Sequence, residues 1–288
     1  MQQRQIGDAS VGAIGLGGAS LSFADDRDDE RSVETILAAI DAGMTYLDTA
    51  AVYTTADELG HNERLIARAV ARAGRDDLLV GTKGGHYRIG ADWPIDGRPE
   101  SIRRDCEGSL AALGVDVLDL YYLHWPDPEV PFADSVGTLE ELRREGKVRR
   151  TGVSNVNAEQ LAVALGASAI SAVQNTFSPF QTRDRDLIAE CARHGVAYTS
   201  YSPLGGGRQT HRRADLPLAA ARADELGVSL ERVILAWELA LSPNLIVISG
   251  STRLATVRDS AAAADLALDP ETVAAVESDV ASLQERAA

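Results

Sequence analysis

The stretch DLLVGTK (77–83) is a short apolar run that favours a β-strand and ends on a lysine. Two segments with apolar residues at helical spacing flank it, 61–73 before it and 99–112 after it. A buried strand between two amphipathic helices is the repeating unit of a parallel sheet that is covered by helices. This stretch therefore favours an α/β fold.

The same unit recurs along the chain. Further strands are predicted at 11–17, 44–49, 117–124, 148–155, 171–175, 196–201 and 245–250. The other helical patterns cover 30–42, 132–145, 157–165, 183–194, 229–241 and 253–263. Glycines near the helix ends suit the left-handed residue that closes a helix, namely Gly43, Gly74, Gly114, Gly146, Gly166 and Gly195.

Eight strand-helix units close naturally into a barrel, so we predict an α/β fold of the (β/α)8 TIM barrel type, formed by residues 1–288 as a single domain. An N-terminal β-hairpin with Gly7 and Asp8 in its turn precedes the barrel. Two extra helices are expected, one at 215–226 and one from Pro270 to about residue 283. The long loops that follow strands should share the barrel face on which chemistry is expected.

Composition excludes several classes of protein. A net charge of −15 without clusters of Lys and Arg argues against a nucleic-acid partner. No apolar run approaches the ~18 residues that span a bilayer. We therefore expect a cytoplasmic protein with no membrane partner, in which Cys106 and Cys191 are free thiols. The five histidines show no paired spacing, so no metal site is expected.

The glycine-rich segment VGAIGLGGAS (11–20) superficially matches a dinucleotide-binding fingerprint. Such a run starting at Gly15 needs a third glycine where Ser20 stands, and no helix is expected directly after it. Two interpretations stay open: a tight loop that touches a cofactor, or glycines that only turn the chain.

Four polar residues fall at or just beyond the ends of three consecutive strands: Asp48, Tyr53, Lys83 and His124. Each of these residues, considered alone, is also consistent with a purely structural role. Together, an Asp48–Lys83 ion pair at one barrel end is expected to lower the pKa of the Tyr53 phenol and make it a proton donor. His124 would donate a second hydrogen bond to a carbonyl oxygen that gains negative charge.

These motifs resemble those of the aldo-keto reductases over essentially the whole chain. YLDTAAVY (46–53), GTKGG (81–85), YYLHWPDP (121–128) and TGVSN (151–155) match family elements, as do GHNERLIARA (60–69) and SYSPLGGG (200–207). The resemblance implies reduction of an aldehyde or ketone by NADPH, with NADH as a possible cofactor. Tyr53 would be the general acid, Asp48 and Lys83 would tune it, and His124 would orient the carbonyl.

The resemblance also implies a set of cofactor-binding residues. They are Gly17, Gly18 and Ala19 after the first barrel strand; Asp48; Ser154, Asn155 and Gln174 at the nicotinamide; Tyr201 as its stacking ring; Ser202, Leu204, Gly205 and Gly207 near the pyrophosphate; and Gly250, Ser251, Thr252 and Arg253 near a 2′-phosphate.

The adenosine end departs from the family pattern. Ser249 replaces a proline, Asp259 a glutamate and Ser260 an asparagine. Loss of the asparagine amide leaves the adenine contact open. The Arg253 guanidinium suits a 2′-phosphate, and the alternative is a solvated arginine in the first turn of a helix.

The substrate is expected to lie among aromatic side chains, namely Tyr53, Tyr87, Trp93, His124 and Trp125. Such walls suit an apolar or aromatic aldehyde, whereas the charged residues of the 84–98 loop leave sugar or dicarbonyl substrates open. The short, mostly helical tail beyond Gly250 favours small to medium aldehydes or ketones. Two rival functions stay open: a cofactor-binding, redox-sensing regulatory subunit with little turnover, and an unrelated barrel isomerase or lyase. The expected partner is a small-molecule carbonyl substrate, and the protein is expected to be a monomer.

Overall fold

An antiparallel hairpin opens the chain, with β1 at Gln3–Ile6 and β2 at Ala9–Gly12. Gly7 has a φ of 60°, which allows the tight turn that pairs Ile6 with Ala9. The structure is a computed structural model that describes residues 1–24, 26–55, 58–89, 92–206 and 213–287. The predicted hairpin and its turn are confirmed.

A closed barrel of eight parallel strands follows, β3 to β10, in which β10 pairs with β3. The strands are Ile14–Gly17, Tyr46–Asp48, Leu79–Gly84, Leu118–Leu123, Val148–Ser154, Ile170–Thr176, Ala197–Tyr201 and Leu245–Gly250. All eight predicted strands are present. Because every strand runs in the same direction, their carboxyl ends and the loops that follow them meet at one mouth.

Helices cover the outside of the barrel. In chain order, α1 to α11 are Ala19–Phe23, Asp29–Asp41, His61–Ala73, Pro99–Leu113, Phe132–Arg144, Ala158–Ala167, Arg185–Arg193, Pro217–Leu226, Leu230–Leu241, Leu254–Ala262 and Pro270–Ala287. The two predicted extra helices are α8 and α11. They contact each other, since Asp279 in α11 accepts a hydrogen bond from the Ala219 amide in α8, 2.8 Å away.

Three local predictions are wrong. The predicted strand 11–17 is interrupted at Ala13, where the chain passes from the hairpin into the barrel. The short helix α1 opens directly after the first barrel strand, where no helix was expected; five residues are too few to show a helical period. Gly166 lies inside α6 rather than closing it, and that helix ends at Ala167.

Two apolar layers stabilise the barrel. One lies between the sheet and the helices, and it contains the free thiols Cys106 and Cys191. Burial raises the pKa of each thiol to about 12, which makes both poor nucleophiles. The other layer fills the barrel, where Ile6 and Val11 of the hairpin join residues from the strands. The hairpin therefore closes the amino-terminal end of the barrel.

Across the described ranges, no helix is long and apolar enough to cross a membrane. Those same ranges hold no group of three or more His, Cys, Asp or Glu residues that is suited to a metal ion.

Candidate active site

The carboxylate of Asp48, the last residue of β4, forms a buried ion pair with Lys83 of β5. Lys83 Nζ donates to Asp48 Oδ2 at 2.8 Å and to the Thr49 carbonyl oxygen at 2.7 Å. The two strands are neighbours in the barrel, so their ends bring the pair together. Burial lowers the pKa of Lys83, while the Asp48 charge opposes that shift. The predicted pairing is confirmed.

The Tyr53 ring lies over this pair, with its centroid 4.9 Å from Lys83 Nζ. The expected net lowering of the phenol pKa is wrong for the protein alone. Burial raises that pKa well above its ordinary value, and the negative charge of Asp48 raises it further. The phenol therefore keeps its proton across the physiological range, as a proton donor must.

His124 follows β6 and contacts Tyr53 edge to face, with ring centroids 5.9 Å apart. Only 7% of its surface is exposed. Burial lowers the pKa of the imidazole well below its ordinary value, and the charges of Lys83 and His86 lower it further. His124 is therefore neutral, with one ring nitrogen able to donate a hydrogen bond.

Five aromatic side chains form a closed ring of contacts around this centre, four of them edge to face and one tilted. We call this set the aromatic collar: Phe23, Tyr53, His124, His86 and Trp93. The ring centroids of successive members lie between 5.0 and 6.1 Å apart. Sequence reasoning missed Phe23 and His86. Phe23 ends the unexpected helix α1, and the only sequence signal for His86 was its position three residues after Lys83.

Of the predicted substrate-lining residues, the structure brings Tyr53, His124 and Trp93 together in the collar. Trp125 follows His124 and is 37% exposed. Tyr87 is different: its ring lies 5.9 Å from the Arg104 guanidinium of α4, and it lines a second cavity between α3, α4 and the loop after β5. No described contact joins Tyr87 to Tyr53 or His124, so the structure does not support its predicted place at the substrate.

A cavity of about 400 Å³ opens beside Tyr53. Its lining comes mostly from the predicted cofactor residues and their neighbours: Gly17, Ala19, Ser20, Asp48, Tyr53, Tyr201, Ser202, Pro203, Leu204, Gly206, Ile248, Ser249 and Gly250. An added Cβ on Gly17 would lie 3.0 Å from the Ile248 side chain, and one on Gly250 would lie 3.2 Å from the Gly17 carbonyl oxygen. Glycine at these two positions therefore lets the ends of β3 and β10 pack closely beside the cavity.

The residues predicted to hold a nicotinamide form a hydrogen-bonded set around Asn155. The Tyr201 hydroxyl donates to Asn155 Oδ1 at 2.7 Å, and Asn155 Nδ2 donates to the His124 carbonyl oxygen at 3.0 Å. Ser154 Oγ donates to the Gln174 carbonyl oxygen at 2.7 Å. These bonds hold the Tyr201 ring at the cavity wall, where a flat ring can stack on it.

The Gln174 amide has a partner that sequence reasoning did not foresee. Gln174 Nε2 donates to Asp48 Oδ1 at 2.8 Å. The side chain expected to hold a cofactor amide therefore also supports the carboxylate that pairs with Lys83.

The loop after β9 turns sharply beside the cavity. Ser202 has a φ of 54°, which is unusual for a residue with a side chain, and its carbonyl oxygen accepts a hydrogen bond from the Gly205 amide at 2.8 Å. Ser202 and Leu204 line the cavity. Gly207, predicted to lie near the pyrophosphate, falls outside the described residues.

The three substituted residues at the adenosine end are bonded within the protein. Ser249 Oγ donates to Ser260 Oγ at 2.9 Å. Asp259 accepts hydrogen bonds from Ser229 and from the Arg232 guanidinium, at 2.5 Å for the nearest Arg232 nitrogen. The Asp259 carboxylate therefore bonds α9 and the residue that caps it.

The predicted phosphate-binding residues precede α10. Gly250 lines the cavity, and the Ser251 hydroxyl accepts a hydrogen bond from the Arg253 amide at 3.0 Å. Arg253 is the residue immediately before α10, and its side chain is exposed. Thr252 lies between them. The helix amino terminus and the guanidinium together favour an anion at this point.

The fold is a parallel barrel, and an ion pair, a phenol and a neutral imidazole lie together at one mouth of it. This combination of fold and site indicates a barrel enzyme. Residues 13–280 match the aldo/keto reductase family model, and the chain belongs to that family. It is 33% identical to the aldo-keto reductase str7 of Strobilurus tenacellus, over 94% of this chain and 87% of that protein.

Solved structures agree with this assignment. The thermostable aldo-keto reductase Tm1743, in complex with the inhibitor epalrestat, superposes with a TM-score of 0.82 at 29% identity, over 97% of this chain and 100% of that one. An aldo/keto reductase from Klebsiella pneumoniae, in complex with NADP and acetate, gives 0.80 at 28% identity, over 96% and 94%. The predicted family and barrel are confirmed, and the chain is an oxidoreductase of this family.

Proposed function

We propose that the protein reduces the carbonyl group of small to medium aldehydes or ketones with NADPH, and that Tyr53 donates the proton. One observation carries the proposal: the Asp48–Lys83 ion pair lies beneath the Tyr53 ring, and a neutral His124 contacts that ring from the side. This arrangement supplies a proton donor, a second hydrogen-bond donor and a compensating positive charge at one point.

Each residue has a separate task. When bound, NADPH supplies the hydride that reaches the carbonyl carbon. His124 orients the carbonyl by donating a hydrogen bond to its oxygen. Tyr53 then transfers its hydroxyl proton to that oxygen as the oxygen becomes negative. Lys83 stabilises the tyrosinate that is left, because its ammonium lies 4.9 Å from the ring.

The cavity beside Tyr53 supports NADPH as the cofactor. Its lining of small residues and the Tyr201 ring suit a long ligand that ends in a flat ring, and Arg253 and the start of α10 suit a 2′-phosphate. The related protein from Klebsiella pneumoniae was crystallised with NADP. NADH is the alternative, since the residues that replace the family pattern, Ser249, Asp259 and Ser260, add no positive charge.

The aromatic collar supports an apolar substrate. Phe23 and Trp93 keep 39% and 41% of their surfaces exposed beside the reacting groups. Exposed rings of this kind gain free energy when a flat apolar molecule covers them. We therefore propose aryl or medium-length alkyl carbonyl compounds as substrates, bound by a monomer in the cytoplasm.

A carbonyl panel run with NADPH and NADH side by side tests the proposal. We expect NADPH oxidation with a nitrobenzaldehyde, and loss of turnover in Tyr53→Phe with the dissociation constant for NADPH changed by less than about twofold. A Tyr53→Phe variant at wild-type rate would refute the mechanism. Cofactor binding without turnover across the panel would instead indicate a redox-sensing subunit.

A further inference from the structure

Two tyrosines fill the barrel interior directly beneath the reacting groups. Tyr46 lies on β4, Tyr122 lies on β6, and neither has any exposed surface. The Tyr46 hydroxyl donates to Asp48 Oδ1 at 3.1 Å, and the two tyrosine hydroxyls lie 3.2 Å apart. Asp48 Oδ1, the carboxylate oxygen that does not bond Lys83, therefore accepts a hydrogen bond from a residue of the barrel interior.

The chemistry of the partners fixes the direction of these bonds. The Asp48 carboxylate in its ion pair only accepts hydrogen bonds, so the single hydroxyl hydrogen of Tyr46 points to Asp48. Tyr46 therefore accepts from Tyr122, whose own hydrogen points to it. The chain runs from Tyr122 to Tyr46 to Asp48, and Gln174 Nε2 lies beside it, 3.4 Å from the Tyr46 hydroxyl and 2.8 Å from Asp48 Oδ1.

Glycines on three strands make room for these rings. An added Cβ on Gly15 would lie 2.7 Å from Tyr46 Cδ1, and one on Gly81 would lie 2.9 Å from the Tyr46 hydroxyl oxygen. A Cβ on Gly152 would overlap the Tyr122 ring. The rings are thus packed directly against backbone, and their hydroxyls have little freedom to move.

We propose that Tyr46 is a positioning residue for Asp48, and that Tyr122 acts on Asp48 through Tyr46. The inference rests on the proposed reductase function and deepens its mechanism. A hydrogen bond from Tyr46 spreads part of the negative charge of Asp48 Oδ1 onto the phenol group. Without it, Asp48 would bear more negative charge facing Tyr53 and would make Tyr53 a weaker proton donor.

Phenylalanine variants test this without emptying the core, since each removes only a hydroxyl group. For Tyr46→Phe we expect kcat for aldehyde reduction to fall roughly three- to tenfold. The pH at which alcohol oxidation reaches half its maximal rate should rise by roughly half a unit to one unit. The NADPH dissociation constant should change by less than about twofold, because Gln174 keeps its own bond to Asp48.

The pH shift reports on Tyr53 because the groups that face it are unchanged in these variants. They are Asp48, Lys83, His124 and Tyr201. A merely structural loss would lower the amount of folded enzyme and leave that pH unmoved.

Tyr121→Phe is the matched control. Tyr121 is the neighbour of Tyr122, is equally buried, and points out of the barrel, where its hydroxyl donates to the Ile102 carbonyl oxygen at 3.0 Å. We expect it to lose stability without a change in kcat or in the pH profile.

The double variant Tyr46→Phe with Tyr122→Phe tests the direction of the chain. It should lose less than the sum of the two single losses, because the hydrogen bonds from Tyr122 to Tyr46 and from Tyr46 to Asp48 act in series. Wild-type kinetics in Tyr46→Phe, or fully additive losses in the double variant, would overturn the proposal. The proposed function fails separately, by a Tyr53→Phe variant that turns over normally.

Discussion

The ammonium of Lys83 lies 2.8 Å from the carboxylate of Asp48, and the two side chains are 0% and 4% exposed. Because both side chains are buried, water does not solvate either charge, and each charge is stabilised mainly by its partner. Lys83→Met should therefore cost about 3–5 kcal/mol of unfolding free energy by leaving Asp48 uncompensated. Urea unfolding at neutral pH measures this.

The double variant Lys83→Met with Asp48→Asn removes both charges, and we expect it to be more stable than Lys83→Met alone. Both variants should lack reductase activity. Stability losses that simply add would show that the two charges do not depend on each other.

Burial of Glu238 in α9 should make the protein less stable as pH rises. Glu238 has no exposed surface, and its one hydrogen bond among the described residues comes from Ser200 Oγ at 2.7 Å. Burial raises its pKa well above the ordinary value, which the Ser200 bond only partly offsets. Above the unfolded pKa of ~4.5 the unfolded chain loses this proton while the folded protein keeps it, so stability falls as pH rises, by up to about 1.4 kcal/mol per pH unit.

Glu238→Gln removes that titration and keeps the shape of the side chain. Urea unfolding should therefore show the variant to be more stable than the wild type at pH 8 and little different at pH 4. An equal difference at both pH values would mean that Glu238 does not carry the pH dependence.

Close packing around Gly18 leaves no room for a side chain, so a substitution there should destabilise the protein beside the cofactor cavity. A Cβ at this position would collide with the Asn62 amide oxygen and lie 2.9 Å from the Asp48 carbonyl oxygen. Gly18→Ala should lose on the order of 1–3 kcal/mol and weaken NADPH binding. Thermal unfolding and cofactor fluorescence measure the two effects.

Gly108 is the matched control, because it lies within α4 and an added Cβ meets nothing within 4 Å. Gly108→Ala should gain roughly 0.5–1 kcal/mol, as alanine favours a helix. A Gly18→Ala variant as stable as Gly108→Ala would contradict the packing described here.

The position of Arg253 leads us to expect that this residue favours NADPH over NADH. Its exposed guanidinium at the start of α10 suits a 2′-phosphate, which NADH lacks. Arg253→Ala should raise the dissociation constant for NADPH roughly tenfold, about 1.4 kcal/mol, and leave that for NADH unchanged. Fluorescence titration with both cofactors decides this, and equal weakening of both would assign Arg253 a structural role.

The barrel and its four polar residues were predictable because both depend on short-range pattern. Alternating strands and helices imply parallel strands, and parallel strands in a barrel end at one mouth. Asp48 and Lys83 thus meet from strand positions 35 residues apart. Strand ends alone place Asp48, Lys83 and His124, whereas Tyr53 lies in a loop and was found through the YLDTAAVY motif.

What escaped prediction depends on where side chains point. The hydroxyls of Tyr46 and Tyr122 meet across the barrel from positions 76 residues apart, and no periodicity encodes that contact. Tyr87 lies in a loop, where strand alternation does not set direction. The direction of the Tyr53 pKa shift is set by burial first and by the Asp48 charge second, and only coordinates show how deeply the phenol is buried.

The aromatic collar gives the protein its own optical reporter. Of the protein's three tryptophans, Trp93 in the collar and Trp125 are partly exposed, whereas Trp237 is buried and its indole nitrogen donates to Glu277 at 2.9 Å. Acrylamide should therefore quench two emitters and spare the third. A substrate that covers the collar should shield Trp93 from the quencher, so intrinsic fluorescence follows substrate binding without any added dye.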